Sequence, residues 1–430
     1  FARRHFAVAV DFLREAGAKA IAFDVNFPQP DQNSALQAIR EIRKQYEAST
    51  PAAARAPRYA ARLKRLEEDA DNDRKFAQSL ANCENAILGY FFLPESEARS
   101  QNPELVEEFL NYLSFQAYPR LVNPEHADKF EGPHFYSLSP NLPAFALPAK
   151  NFGFFNVLPD PDGVVRRASA VIRFRGSFYP SLDVASALAY TNRPLDEVGV
   201  FFNPNGLERI DFGPVAIPTD PQGFVQIDFR GPAGTFPTYS LADVVQRKLA
   251  PEEFRDRLVL IGPTATGIAD MAVTPFQTAA FPGVEVHANF IDNLLQGHFV
   301  RRGLRENLID IAFILLFSLG AGVLLSVVPS VRATAILIVF LGFFLWLTFY
   351  LFETERIWIA AFLHTATLVT NYLGIISYRF FFEEREKKKV QGAFQQYIAP
   401  SVNSQLLEHP ELLRLGGEEK ELTAMFSDIR

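Results

Sequence analysis

Three charge-free apolar runs, residues 311–331, 333–352 and 357–378, follow one another with only Arg332 and the polar run Glu353-Thr-Glu-Arg356 between them. An α-helix rises about 1.5 Å per residue, so each run can cross a hydrocarbon core of roughly 30 Å. Buried helices of a soluble protein would carry a polar face, and these runs have none. The block therefore reads as a transmembrane domain over 306–382, with helices at about 308–331, 333–352 and 357–380. Everything else in the chain must be arranged on the two sides of a lipid bilayer.

At 430 residues the chain should hold two or three domains. A net charge of −7 and a pI near 5.6, with no basic domain standing out, argue against nucleic acid as the main partner. The single Cys83 excludes an internal disulfide and a Cys-based zinc cluster, and leaves the redox compartment open. The chain begins at Phe1 rather than Met and stops at Arg430 inside an apparent strand, so it is expected to be part of a longer protein.

Residues 1–305 read as one α/β domain, a mixed or parallel sheet with helical insertions. Phe6, Val10 and Leu13 share a helical face closed by Gly17, and residues 19–28 form an apolar run stopped by Pro28, which suits a buried parallel strand. Residues 31–80 turn to Ala, Arg, Lys and Glu, predicting a surface helical hairpin and then a helix over 73–80. Acidic and basic residues interleave there, which makes a solvated face rather than a nucleic-acid arm. Further strands are expected at 86–92, 151–157, 164–174 and 225–230, helices at 103–115, 181–190, 240–249 and 284–296, and a proline-rich loop reaching Ala149. Pro159-Asp-Pro-Asp-Gly163 between two β-like runs predicts a hairpin turn; a calcium loop is disfavoured because the later oxygen ligands and terminal Glu of an EF-hand are absent.

Residues 257–262 form an apolar strand leading into Pro263-Thr-Ala-Thr-Gly-Ile-Ala-Asp270. A glycine turn at the carboxyl end of a strand is where α/β folds bind ligands. Ile268 and Ala269 stand where a phosphate-binding loop needs Lys and Ser/Thr, so nucleotide binding is set aside. Asp24, Asn26, Gly262, Thr264, Thr266 and Asp270 are the candidate sensory cleft, with plain turn and capping roles as the alternative. Within the third apolar run, His364, Thr367 and Asn371 share a helical face. With no acidic partner in mid-membrane, helix–helix hydrogen bonding is favoured over proton or ion conduction.

The segments Ala20-Ile-Ala-Phe-Asp-Val-Asn-Phe27, Leu158-Pro-Asp-Pro-Asp-Gly-Val-Val-Arg-Arg167, Leu260-Ile-Gly-Pro-Thr-Ala265 and Pro282-Gly-Val-Glu-Val-His-Ala-Asn289 resemble, in order and spacing, the extracellular sensor family called CHASE, of its second class. The resemblance covers roughly residues 1–300. It implies a sensor preceding three transmembrane helices in bacterial receptors, and it names no ligand. A sensor outside the cell would need a further helix upstream of Phe1.

Past Tyr378 the chain turns polar, and three spans put this tail on the side opposite the sensor. Residues 383–417 are expected to form a linker helix and a hinge near Pro400, with Val390, Phe394, Tyr397 and Ile398 offering a short dimer contact. The run Val390-Gln-Gly-Ala-Phe-Gln-Gln-Tyr-Ile-Ala-Pro-Ser401 and the run Leu415-Gly-Gly-Glu-Glu-Lys-Glu-Leu-Thr-Ala-Met-Phe-Ser-Asp-Ile-Arg430 resemble the entry into the catalytic domain of class III nucleotide cyclases. The resemblance implies that residues 418–430 are the first strand of an α+β cyclase domain. It further implies that Asp428 and the backbone carbonyl of Ile429 hold two Mg²⁺ or Mn²⁺ ions, that ATP is the substrate and that a homodimer forms the active sites. Attack of a ribose 3′-hydroxyl on the α-phosphate, with loss of pyrophosphate, is the kind of step two carboxylate-held divalent ions promote. The second carboxylate, the base-reading residues and the transition-state Asn/Arg pair are not among the 430 residues.

The resulting expectation is a multi-pass receptor adenylate cyclase of a bacterial inner membrane, with its sensor periplasmic or extracellular and its catalytic domain cytoplasmic. A guanylate cyclase, a non-enzymatic binding receptor and a sensor coupled to another output such as a histidine kinase are the competing readings.

Overall fold

The computed structural model describes residues 2–49, 57–265, 271–302, 304–395, 421, 423 and 425–427. The chain divides into two units: Phe1–Asn307 together with Leu351–Trp358, and Leu308–Tyr350 together with Ile359–Arg430.

The strands of the first unit are β1 (Ala20–Phe23), β2 (Ala86–Leu93), β3 (Arg120–Val122), β4 (Ser137–Ser139), β5 (Asn151–Phe154), β6 (Arg167–Ser169), β7 (Val171–Phe174), β8 (Ser177–Pro180), β9 (Val198–Asn203), β10 (Gly206–Phe212), β11 (Val215–Pro218), β12 (Phe224–Gln226), β13 (Leu258–Ile261), β14 (Met271–Thr274) and β15 (Gln277–Pro282). Its helices are α1 (Arg3–Glu15), α2 (Ser34–Ser49), α3 (Pro57–Ala70), α4 (Asn72–Ala81), α5 (Glu95–Ala98), α6 (Pro103–Leu113), α7 (Pro143–Ala149), α8 (Leu182–Thr191), α9 (Leu241–Val245) and α10 (Gly283–Gln296).

β13, β1, β2 and β5 lie side by side and parallel, with Ala22 opposite Leu260, Phe23 opposite Leu88 and Gly89 opposite Gly153. These strands are short and apolar on both faces, as a sheet covered by helices on both sides requires. One face packs on α1, α4 and α7 around Phe6, Phe23, Phe27, Phe76 and Phe145, whose rings meet mostly edge to face, at 5.0 Å between Phe27 and Phe76. The other face, Ala20, Ala22 and Ile87, takes Leu182 and Ala185 of α8. β4 extends the far end of β2 antiparallel. A second sheet, ordered β11-β10-β9-β3, has its own core, which α10 completes with Val286, Phe290 and Leu294. α10 thus belongs to both layers of the unit.

Most of the expected elements appear, with the 225–230 strand reduced to β12, the 240–249 helix reduced to α9, and some pairings changed. The 151–157 and 164–174 runs do not pair as a hairpin: β5 joins the parallel sheet beside β2, while the second run splits into β6, paired with β12, and β7, paired with β8. The local turn is present, with the Gly163 N–H donating to Asp160, but tertiary pairing takes the flanking strands elsewhere. The proline-rich segment before Ala149 contains β3, β4 and α7. The charged hairpin α2/α3 buries Leu36 and Leu63 and is laced by Arg40 and Arg43 to Glu67, as a solvated pair should be.

In the second unit α11 (Leu304–Val327), α12 (Ser330–Glu355) and α13 (Ala361–Gln395) succeed one another. Among the described residues two helices, Glu306–Val327 and Val331–Glu355, are long and apolar enough to cross a membrane. They leave Leu316, Leu319, Val339 and Phe349 exposed, a surface that is unfavourable in water and natural in hydrocarbon. α13 has the length, with His364, Thr367 and Asn371 interrupting its apolar character. Its start differs from the expected 357: Arg356 takes a left-handed backbone (φ 54) that ends α12, and Ile357, which like Arg301 belongs to the first unit, forms a bridge with Arg301. The expectation that His364 lacks an acidic partner is also corrected. Asp310 of α11, one residue before the charge-free run, lies 3.6 Å from it. Arg379 of α13 donates to the Leu325 and Val328 carbonyls at the end of α11, where a cation is favoured. Residues 425–427, expected within a cyclase strand, are in no regular element, and Asp428 and Ile429 lie outside the described residues.

Phe76→Ala, at the centre of the aromatic cluster, should cost about 3–5 kcal/mol in chemical unfolding of the solubilised chain. Phe115→Ala, at a side chain 84% exposed, should stay within about 0.5 kcal/mol.

Candidate functional site

β1 and β13 end together, with the Asp24 N–H donating to the Ile261 carbonyl one step past the ladder. This puts Asp24 and Gly262 side by side at the carboxyl edge of the parallel sheet. Two helix starts converge on the same place. The start of α8 is brought down onto β5 by Gly153, where a Cβ would lie 2.5 Å from the Leu182 backbone. Ser181 caps that start by accepting from the Val184 N–H, so Asp183 sits in the first turn, where the helix dipole favours an anion. The start of α10 fits against Gly262, where a Cβ would stand 2.8 Å from Val284 and 3.0 Å from the Asp24 carboxylate.

His287 of α10 fills the convergence. Its Nδ1 lies 2.8 Å from Asp183 Oδ1 and its Nε2 3.8 Å from Asp24 Oδ1, so each ring nitrogen faces a carboxylate. Asp183 and His287 are buried, and 10% of the Asp24 side chain is exposed. Burial pushes the imidazole towards neutrality; Asp183, Asp24, the hydrogen bond to Asp183 and a backbone hydrogen bond at Phe155 outweigh it and hold the ring up at about 9. The node is therefore a buried imidazolium clamped between two carboxylates from different elements. Two carboxylates on opposite sides of one ring suit a proton better than a metal, and no His/Cys/Asp/Glu group able to hold a metal ion occurs among the described residues.

A second polar stripe runs along α10 at intervals of four. The Glu285 carboxylate accepts from the Gly234 N–H at 2.9 Å. Asn289 Oδ1 accepts from Arg230 N–H, while the Asn293 amide both accepts from the Asp228 N–H and donates to its carbonyl. Asp292 pairs with the Arg230 side chain. Residues 228–234 are thereby laid along α10, and the Asp228 carboxylate faces Arg356 Nε at 3.4 Å.

Of the candidate cleft residues, the structure brings together Asp24 and Gly262. Asn26 is engaged elsewhere, donating to Ser139 Oγ at 2.7 Å and pinning the exit of β1 to β4. Thr264 is exposed, and Thr266 and Asp270 lie outside the described residues. The principal members that sequence reasoning missed are His287 and Asp183. Their signal was present as polar residues in largely buried helices, with Glu285, Asn289 and Asn293 marking the same oddity on α10.

The sequence profile of the CHASE2 domain matches residues 1–325, a range that carries the whole node and extends through most of α11. No curated protein and no solved structure matches the chain.

The node links protons to stability with a definite sign. The ring keeps its proton to about 9 when folded and to 6.5 in its ordinary state, so the stabilisation is complete below 6.5 and is lost as pH rises through 9. Urea unfolding of the chain should weaken by roughly 3 kcal/mol across that window, and His287→Gln should flatten the profile. A pH-independent wild-type midpoint would contradict the clamped imidazolium.

Proposed function

The chain belongs to the CHASE2 domain family of extracellular sensors, and from that membership we propose that it is a transmembrane receptor in which the first unit binds an extracytoplasmic ligand and α10 passes its state to the membrane helices. The observation that carries this reading is the segment Leu351–Trp358, the last turn of α12 and the residues after it, which belongs to the sensor's own unit. The Arg301 N–H donates to the Arg356 carbonyl at 2.7 Å, the Trp358 N–H donates to the Arg301 carbonyl, and the Arg302 guanidinium donates to the Trp358 carbonyl and lies over its ring. Arg356 pairs with Asp228, the same residue that Asn293 of α10 holds by its backbone. A displacement of α10 against residues 228–234 therefore reaches Arg301, Arg302 and residues 356–358, which lead into α11 and α13, through short polar contacts.

With α11, α12 and α13 crossing the bilayer in alternation, the tail lies on the side opposite the sensor, in the cytoplasm of a bacterial inner membrane. We assign the tail's output as a class III adenylate cyclase, supported by its resemblance over residues 390–430. Asp428 and the Ile429 carbonyl would hold two Mg²⁺ or Mn²⁺ ions, which would neutralise the leaving pyrophosphate and activate the ribose hydroxyl of ATP in a homodimer.

Two measurements test these readings separately. In a Cys83→Ser background, Phe115→Cys and Thr354→Cys should react with an impermeant maleimide from outside, and Val331→Cys from inside alone; outside labelling of Val331→Cys would overturn the three-span topology. Membranes of the full-length protein should convert ATP to cyclic AMP with Mg²⁺ or Mn²⁺, and Asp428→Ala should lower the rate by at least about 100-fold. Unchanged turnover in that variant would remove the metal role, and absence of turnover in the wild type would assign the output to another activity.

A further inference from the structure

Within the membrane block, His364 of α13 is completely buried among Phe313 and Phe317 of α11 and Phe344 of α12, with ring centroids 6.1, 5.7 and 5.2 Å away. Among the described residues, the polar groups in contact with its ring are two carbonyls and a carboxylate. Nδ1 lies 2.8 Å from the Ala360 carbonyl, and Nε2 lies 3.2 Å from the Asp310 carbonyl and 3.6 Å from the Asp310 carboxylate. A neutral imidazole has one N–H and one bare nitrogen, and a bare nitrogen facing a carbonyl oxygen is repelled. Both contacts can be made together by the doubly protonated ring, whose charge Asp310 balances and whose faces the aromatic rings accept. Asp310 also accepts from the Ala360 N–H at 3.3 Å, placing a carboxylate at the N-terminus of α13, where the helix dipole would otherwise oppose the nearby cation. Facing His364 from α11 is Asp310, from α12 the apolar Phe344, and from its own helix the Ala360 carbonyl.

We propose that Asp310 and His364 form a proton-dependent latch fastening the start of α13 to α11, closed while the ring carries both protons and released when either is lost. The inference rests on these helices lying in the bilayer, and it gives the receptor a control point inside the membrane. Loss of the Nε2 proton turns a donor towards Asp310 into a lone pair facing a carboxylate and a carbonyl, so α11 and α13 must separate at that turn. Loss of the Nδ1 proton frees the ring from its own helix.

The test uses the full chain, ¹⁵N-histidine labelled, in lipid bilayers. The difference spectrum against His364→Gln isolates its two ring nitrogens. Both are expected to carry protons in the wild type, and one should be bare in Asp310→Asn; a bare nitrogen in the wild type overturns the proposal. Hydrogen exchange at residues 360–364 should be about 10-fold faster in Asp310→Asn and in His364→Gln, as loss of a hydrogen bond to a charged group implies, with the β1 and β2 amides unchanged as a check on folding. Unaltered exchange at α13 would leave a structural ion pair and overturn the latch. Neither readout depends on ligand or nucleotide turnover, so their failure is distinct from failure of the receptor reading, which the labelling of Val331→Cys decides.

Discussion

A charge buried in a protein of this size is tolerated when its neighbours are fixed, and the His287 imidazolium fixes three elements at once. Asp24 must stay at the end of β1, Asp183 in the first turn of α8 and His287 one turn into α10 for the ring to have a carboxylate at each nitrogen. Removing either anion would leave an incompletely compensated cation in a low-dielectric interior, a penalty of several kcal/mol that packing alone does not repay. The tight approaches at Gly153 and Gly262 follow from the same demand, since a side chain at either position would hold a helix start away from the sheet edge. The parallel sheet supplies the platform, but the clamp decides where α10 sits on it.

That position matters because α10 has two jobs on its two sides. Val286, Phe290 and Leu294 complete the core of the second sheet, while the side chains of Glu285, Asn289 and Asn293 hold the backbone of residues 228–234 by hydrogen bonds. Side-chain amides that pair with both the N–H and the carbonyl of one residue, as Asn293 does at Asp228, act like a strand neighbour and leave little slack. A helix so held moves as a body or not at all, which suits a part that carries information over a distance.

Much of this was legible in the residues, and the losses have physical causes. Strands β1, β2 and β13 and helices α1, α8 and α10 declared themselves by apolar runs, caps and glycines, all of them local signals. Asp24 and Gly262 were found because strand ends in α/β folds are places where chemistry gathers. His287 and Asp183 were missed because their partnership spans more than a hundred residues and neither sits in a loop. The hairpin misread at Gly163 is the same lesson reversed: the local turn was right, and distant strands outcompeted the near ones for pairing. Asp310 escaped because a search for charge-free runs places its boundary at the first charge. The acid that answers His364 was thus counted as flank rather than as part of the bundle. Thr266, Asp270, Asp428 and Ile429 lie outside the described residues, so sequence remains their whole support.

The stitch between Arg301 and residues 356–358 has a mechanical meaning of its own. Two backbone hydrogen bonds join the run-in of α11 to the run-in of α13 in the manner of adjacent parallel strands. The far ends of the same two helices are tied as well, because the Arg379 guanidinium of α13 donates to the Leu325 and Val328 carbonyls at the end of α11. α11 and α13 are thus fastened to each other near both of their ends, by backbone at one and by a guanidinium at the other.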